Sequence, residues 1–160
     1  LVQHYKVDVQ HNTGTSRSYF TNNGRFVYTY DTNAKNGLER RLNITVTPVS
    51  LYGDNGDSAF VSAYNAPIDQ AGGVSVSGKA GNFYCKWTNV SDVVPDYSHT
   101  NVYLKAHQED ALNANQIIGF SSNGSLSIDL PENTTGFVQV ENVDVFGSAI
   151  PIIASSPVYF

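Results

Sequence analysis

The hexapeptide Gly119-Phe-Ser-Ser-Asn-Gly124 comes nearest to a catalytic signature in this sequence. A serine nucleophile elbow reads G-x-S-x-G, and here Asn123 stands where the second glycine belongs. The Asn123-Gly124 pair reads instead as a hairpin turn, so Ser121 is not taken as a nucleophile. Cys85 lies in Asn82-Phe-Tyr-Cys-Lys-Trp87, on the same strand face as Phe83 and Trp87. That parity describes a buried small hydrophobe better than a reactive thiol. His4, His11, His99 and His107 show no metal-ligand spacing, and eight extended residues would hold His99 and His107 roughly 26 Å apart. Solvent-facing or locally hydrogen-bonded roles are expected for all four. The turn Gly53-Asp54-Asn55-Gly56-Asp57 clusters oxygens of the kind calcium takes, but Asn65 occupies the twelfth position, where an EF-hand loop places a bidentate glutamate. Asp54 and Asp57 remain the metal candidates, a plain turn is the favoured reading, and no cofactor is expected. Glu109 and Asp110 are sequence neighbours that point opposite ways on an extended chain, so they form no acid/base pair. The chain reads as a non-enzyme.

A second kind of chemistry is recognition by aromatic surfaces. Ser18 to Tyr30, SYFTNNGRFVYTY, places two phenylalanines and three tyrosines around Asn23-Gly24. A two-residue turn there pairs Thr21 with Phe26, Tyr19 with Tyr28 and Arg17 with Tyr30. One face then carries Arg17, Tyr19, Thr21, Phe26, Tyr28 and Tyr30; the other carries Ser18, Phe20, Asn22, Arg25, Val27 and Thr29. Arg17, Tyr19, Tyr28 and Tyr30 are the candidate ligand-binding residues, as a platform for a sugar or a partner chain. The competing reading, which we favour, makes this face a roof over the core with its hydroxyls at the rim.

The elements that would position these groups are strands. Alternation of period two recurs over Val2–Val9, Leu42–Val46, Ser58–Tyr64, Gly73–Ser77, Asn82–Thr88, Asn101–Gln108, Gln116–Ser121, Ser125–Leu130, Gly136–Val145 and, in one or two pieces, Ile150–Phe160. Pro48 closes the Leu42 segment and suits an edge or a strand end. Asn-Gly pairs at Asn23, Asn36, Asn55 and Asn123 punctuate the strands as hairpin turns. Helical periodicity is nearly absent, with Glu109–Asn115 as the best candidate for a single turn. The expected fold is all-β, an antiparallel β-sandwich or jelly roll of about 10–11 strands, in one domain over 1–160.

Composition limits the partners. With 41% hydrophobic and 14% charged residues, the 160-residue chain has the means to bury a core and lacks the charge of a disordered segment. Fourteen acids against nine bases, with Arg40-Arg41 as the basic doublet, leave no stripe for displacing counterions from phosphates, so nucleic acid is not an expected partner. No apolar run approaches the roughly 20 residues of a membrane span. One cysteine makes no intrachain disulfide, which argues against a cross-linked secreted module. The N-x-S/T sequons at Asn43, Asn89, Asn123 and Asn133 are close to what chance supplies in so Asn- and Ser/Thr-rich a chain.

Ser125 to Val145, SLSIDLPENTTGFVQVENVDV, reads as a strand, a Leu-Pro turn, and Thr-Thr-Gly leading into a second strand. With the single cysteine and the Asn-Gly turns, it resembles the protruding domain of a small icosahedral RNA virus coat protein, tombusvirus-like or Lake Sinai virus-like. The resemblance covers about 20 residues and fixes no individual site residue. It implies an all-β domain on the virion surface that dimerises or trimerises and attaches to a host-cell receptor or glycan. It also implies a domain excised from a longer chain, because a shell domain and its basic arm would precede it. A carbohydrate-binding module or lectin, stacking sugars on Tyr19, Tyr28, Tyr30 or Trp87, is the alternative. An extracellular or cell-surface pilin or adhesin subunit is the third reading.

Overall fold

The structure is a computed structural model and describes residues 1–79, 81–149 and 154–160. The chain divides into two compact units, Leu1–Ala66 and Pro67–Phe160. The fold is all-β, with every named strand pairing antiparallel.

The first unit contains β1 (Val2–His11), β2 (Ser16–Thr21), α1 (Tyr30–Lys35), β3 (Arg41–Ser50) and β4 (Ala59–Tyr64), with the strands in one sheet of order β2-β1-β3-β4. Alternation along β1 puts Val7, Val9 and His11 on one face, opposite Val46, Ile44 and Leu42 of β3. Val7, Val9 and Leu42 are buried, and Tyr19, Phe26 and Tyr28 pack against them. Each fully buried aliphatic side chain contributes about 1.5–3 kcal/mol.

The hairpin expected across Asn23-Gly24 does not form. β2 pairs with β1 instead, Tyr19 opposite Val7 and Arg17 opposite Val9. The ten-residue β1 gives β2 a six-pair ladder and an apolar face, and a tight connection with Gly14 at φ +94° joins them. The segment after Gly24 runs without a ladder into α1, whose start is fixed by Thr29. The Thr29 hydroxyl accepts from the Thr32 amide, Asp31 sits in the first turn and Lys35 in the last, and Gly37 follows at φ +100°. Asn36-Gly37 is thus a helix terminus, not a hairpin turn. Pro48 lies inside β3, opposite Tyr5, beyond the point where the β3–β4 pairing stops at Val46 and Ala59. On that side the β3–β4 connection uses only the Pro48 carbonyl, which accepts the Gly56 amide at 2.8 Å, so the missing proline N–H interrupts no named ladder.

The second unit contains β5 (Ser75–Lys79), β6 (Asn82–Lys86), β7 (Tyr97–Lys105), β8 (Ile117–Ser121), β9 (Ser125–Asp129), β10 (Phe137–Asp144) and β11 (Val158–Tyr159). It is a β-sandwich. A sheet of order β5-β6-β9 packs on one of order β11-β10-β7-β8, and Phe83, Cys85 and Trp87 meet Val102, Val138 and Val140 in the core between them. The turn at Asn123-Gly124 is not a hairpin, because it carries the chain from β8 in one sheet to β9 in the other. Gly124 has φ +83°, its carbonyl accepts the Trp87 amide, and an added Cβ would lie 3.0 Å from Asn89 Cβ. The candidate helical turn at Glu109–Asn115 becomes a single 3-10 turn, Ala114–Gln116, with Asn113 as its cap. Within the expected strand region Ile150–Phe160, residues 150–153 lie outside the described residues and Val158–Tyr159 forms β11.

Candidate functional site

The tyrosines singled out in the sequence come together without their hairpin. The Tyr19 and Tyr28 rings meet edge to face with centroids 5.8 Å apart, and Phe26 lies 5.3 Å from Tyr19. Both hydroxyls accept from Asn36 Nδ2, at 3.0 Å from Tyr19 and 2.9 Å from Tyr28. Arg17 Nε donates to the same Asn36 side chain, at Oδ1, over 3.4 Å. The Tyr28 hydroxyl also lies 2.9 Å from Nε2 of His11. His11 is 1% exposed, and its Nδ1 has no hydrogen-bond partner among the described residues. Burial, reinforced by the neighbouring Tyr19, pushes the Tyr28 hydroxyl above its ordinary pKa. Arg17, Tyr19 and Tyr28 therefore converge on Asn36, while Tyr30 opens α1 and is exposed. Tyr19 and Tyr28 are half-buried, with their hydroxyls engaged within the unit and their rings packed on the core.

The opposite face of the same sheet is open and carries aromatics that the sequence reading did not single out. Cross-strand pairing puts Phe20, Lys6, Thr45 and Phe60 on that face, and Arg41 with Tyr64. Phe20 is 65% exposed, Phe60 68% and Tyr64 54%. His4 meets the Phe20 ring edge-on at 5.4 Å, and the Arg41 guanidinium stands 4.8 Å from the Tyr64 centroid. Between them Lys6 and Asp8 form an ion pair at 3.0 Å. The Ser18 hydroxyl, more than Lys6, holds the Asp8 carboxyl below its usual pKa. The arrangement presents two flat apolar patches flanking a strip of paired charge. Its signal in the sequence was Ala59-Phe-Val-Ser-Ala-Tyr64, a strand with aromatics at two positions of one parity and no charge.

The remaining candidates do not assemble. Cys85 is fully buried, and desolvation pushes its thiol up to about 11. Trp87 is 3% exposed, so it offers no stacking surface. Ser121 donates from its hydroxyl to the Asn123 side chain and takes the Asn123 amide, as a turn residue does. Asp54 and Asp57 sit in the β3–β4 connection, where the Ser50 amide and hydroxyl bind the Asp54 backbone. Among the described residues no three His, Cys, Asp or Glu side chains cluster as a metal site. No described helix is long and apolar enough to cross a membrane. In the second unit, Glu141 is fully buried and accepts from Tyr103, Ser148 and the Ala149 amide at 2.6, 2.7 and 2.8 Å. Burial first, then Glu141, pushes the Tyr103 hydroxyl up to about 12. Ser148 and Ala149 tie the chain after β10 back onto its strand, and Tyr103 holds the carboxylate from β7.

No protein-family model and no curated protein matches this chain. Among solved structures, the crystal structure of chicken CNTN1 FN1-FN3 domains is similar at 16% identity and a TM-score of 0.48. The alignment covers 98% of this chain and 54% of the other, so the chain spans about half the length of that structure.

Proposed function

We propose that the chain is a non-enzymatic recognition domain displayed on a virion surface, where it associates with its own copies and attaches to a host-cell receptor or glycan. The observation that carries this reading is the open face of the Leu1–Ala66 sheet, with Phe20, Phe60 and Tyr64 all more than half exposed. Exposed rings on a rigid sheet offer contact area at low entropic cost, the property that suits a recognition surface. Tyr19 and Tyr28 are half-buried against the core on the other face, which supports placing the binding role on the open side. Assignment to a coat protein rests on the resemblance of Ser125–Val145. Of the rings named for the lectin alternative, Trp87 is withdrawn by burial, Tyr19 and Tyr28 are half-buried and Tyr30 is exposed, and the open-face rings would serve the same stacking role. A glycan array probed with the wild-type chain and with Tyr64→Ala tests attachment. Sugar binding that the substitution reduces supports it, and undiminished binding removes this face from the ligand site.

A further inference from the structure

We infer that β4 is a self-pairing edge, through which two copies of this chain join their first-unit sheets in antiparallel register about a two-fold axis at Ser62. The inference deepens the self-association in the proposed function and rests on that reading.

β4 is an edge strand in the order β2-β1-β3-β4, and all six of its residues are exposed. Its free side has a definite hydrogen-bond pattern. The Asn65 amide donates to Arg40 carbonyl at 2.9 Å, one step beyond the Arg41–Tyr64 pair, so that step is a hydrogen-bonded pair. Such pairs alternate along an antiparallel ladder. Ala59, Val61 and Ala63 therefore bond inward to β3, while Phe60, Ser62 and Tyr64 turn their N–H and C=O groups outward.

An outward row of this kind is self-complementary. With Ser62 opposite the second copy's Ser62, Phe60 falls opposite Tyr64 and Tyr64 opposite Phe60, and each of these pairs exchanges two backbone hydrogen bonds. Pairing of like parity keeps the two open faces on one side. Both cross-strand aromatic pairs then lie on that side, where such pairs contribute roughly 0.2–1 kcal/mol each. The two open faces join into one aromatic surface. The second copy is favoured as occupant because β4 carries none of the features that block edge pairing. It has no charge, no proline and no bulge against β3. By contrast β2 carries Arg17, β9 carries Asp129, β5 carries Lys79, and the β7–β8 ladder has a register shift. β11 has only two residues.

The test is sedimentation of the full 160-residue chain at about 100 μM, a load at which a micromolar edge contact is occupied. Wild type is expected as a dimer, and Ser62→Lys, which places two like charges opposite one another, as a monomer with an unchanged circular dichroism spectrum. Register is read by mild oxidation. Ser62→Cys places two thiols on residues with Cα atoms about 5.5 Å apart, within disulfide reach, and cross-links in high yield. Phe60→Cys alone does not, since its own copy lies four residues along the strand, roughly 13 Å away. A mixture of Phe60→Cys and Tyr64→Cys chains does. The native Cys85 is fully buried and does not compete. A monomeric wild type, a dimer that survives Ser62→Lys, or cross-linking of Phe60→Cys alone overturns the proposal. Glycan attachment by a monomeric wild type would leave the attachment reading standing while this one falls.

Discussion

Replacing Tyr28 with phenylalanine removes one oxygen and asks whether the tyrosine face is a structural roof. That hydroxyl serves two partners, His11 Nε2 and Asn36 Nδ2, each at 2.9 Å. Two net hydrogen bonds are worth about 1 kcal/mol each. Asn36 retains the Tyr19 hydroxyl at 3.0 Å, so its loss is partial. His11 has no such reserve: it is 1% exposed, and its other nitrogen already lacks a partner among the described residues. Leaving a buried polar atom unsatisfied costs about 1–3 kcal/mol, so the substitution should destabilise by about 2–4 kcal/mol in all. Tyr19→Phe, which forfeits one bond to a half-buried amide, should cost about 1 kcal/mol. Urea titration followed by far-UV circular dichroism reads both. At a slope of about 2 kcal/mol/M, Tyr28→Phe lowers the midpoint by about 1–2 M and Tyr19→Phe by about 0.5 M. If Tyr28→Phe unfolds within about 0.5 kcal/mol of wild type, the His11–Tyr28–Asn36 network does not hold this face, and the ring is free for a ligand.

Three further outcomes follow from the second unit. Cys85 and Tyr103 both have folded-state pKa values raised, to about 11 and about 12, so the unfolded chain loses these protons first. Their stabilising contribution is complete below pH 9 and falls as pH rises through 9–11 for the thiol and 10–12 for the phenol, with Cys85→Ala removing the first phase of a stability-against-pH curve. Glu141→Ala leaves the Tyr103 hydroxyl and Ala149 amide without their acceptor and should cost about 2–4 kcal/mol by urea titration, with Glu141→Gln cheaper because it keeps one carbonyl acceptor. Gly124→Ala combines a left-handed φ of +83° with a Cβ 3.2 Å from the Trp87 carbonyl, and should cost about 1–3 kcal/mol, visible as a lower thermal midpoint.

Much of the fold was legible because alternation is a direct consequence of a sheet having two faces. Val7 and Val9 in β1, and Phe83, Cys85 and Trp87 around β6, share the parity that the structure buries. Partner choice was less legible, because an Asn-Gly pair records a permitted backbone conformation and says nothing about which strand lies alongside. At Asn23-Gly24 the ladder went to β1; at Asn123-Gly124 the turn links two sheets. The helix α1 did leave a local record, with Thr29 as cap, Asp31 and Lys35 at the matching ends, and Gly37 beyond. An aromatic alternation that suited a strand masked it. The open face was harder still. Phe60 and Tyr64 look like core residues by type, and their exposure follows from β4 being an edge, which depends on the whole strand order.

The most direct test of the recognition surface is the affinity of the full chain for the glycan that an array selects, measured for wild type, Tyr64→Ala and Phe120→Ala. Phe120 is an exposed ring in the other unit, 68% accessible against 54% for Tyr64, and serves as the control. Affinity should fall tenfold or more, about 1.4 kcal/mol, in Tyr64→Ala and stay at the wild-type value in Phe120→Ala. A wild-type chain that binds no glycan, or a Tyr64→Ala chain that binds as tightly as wild type, would contradict it.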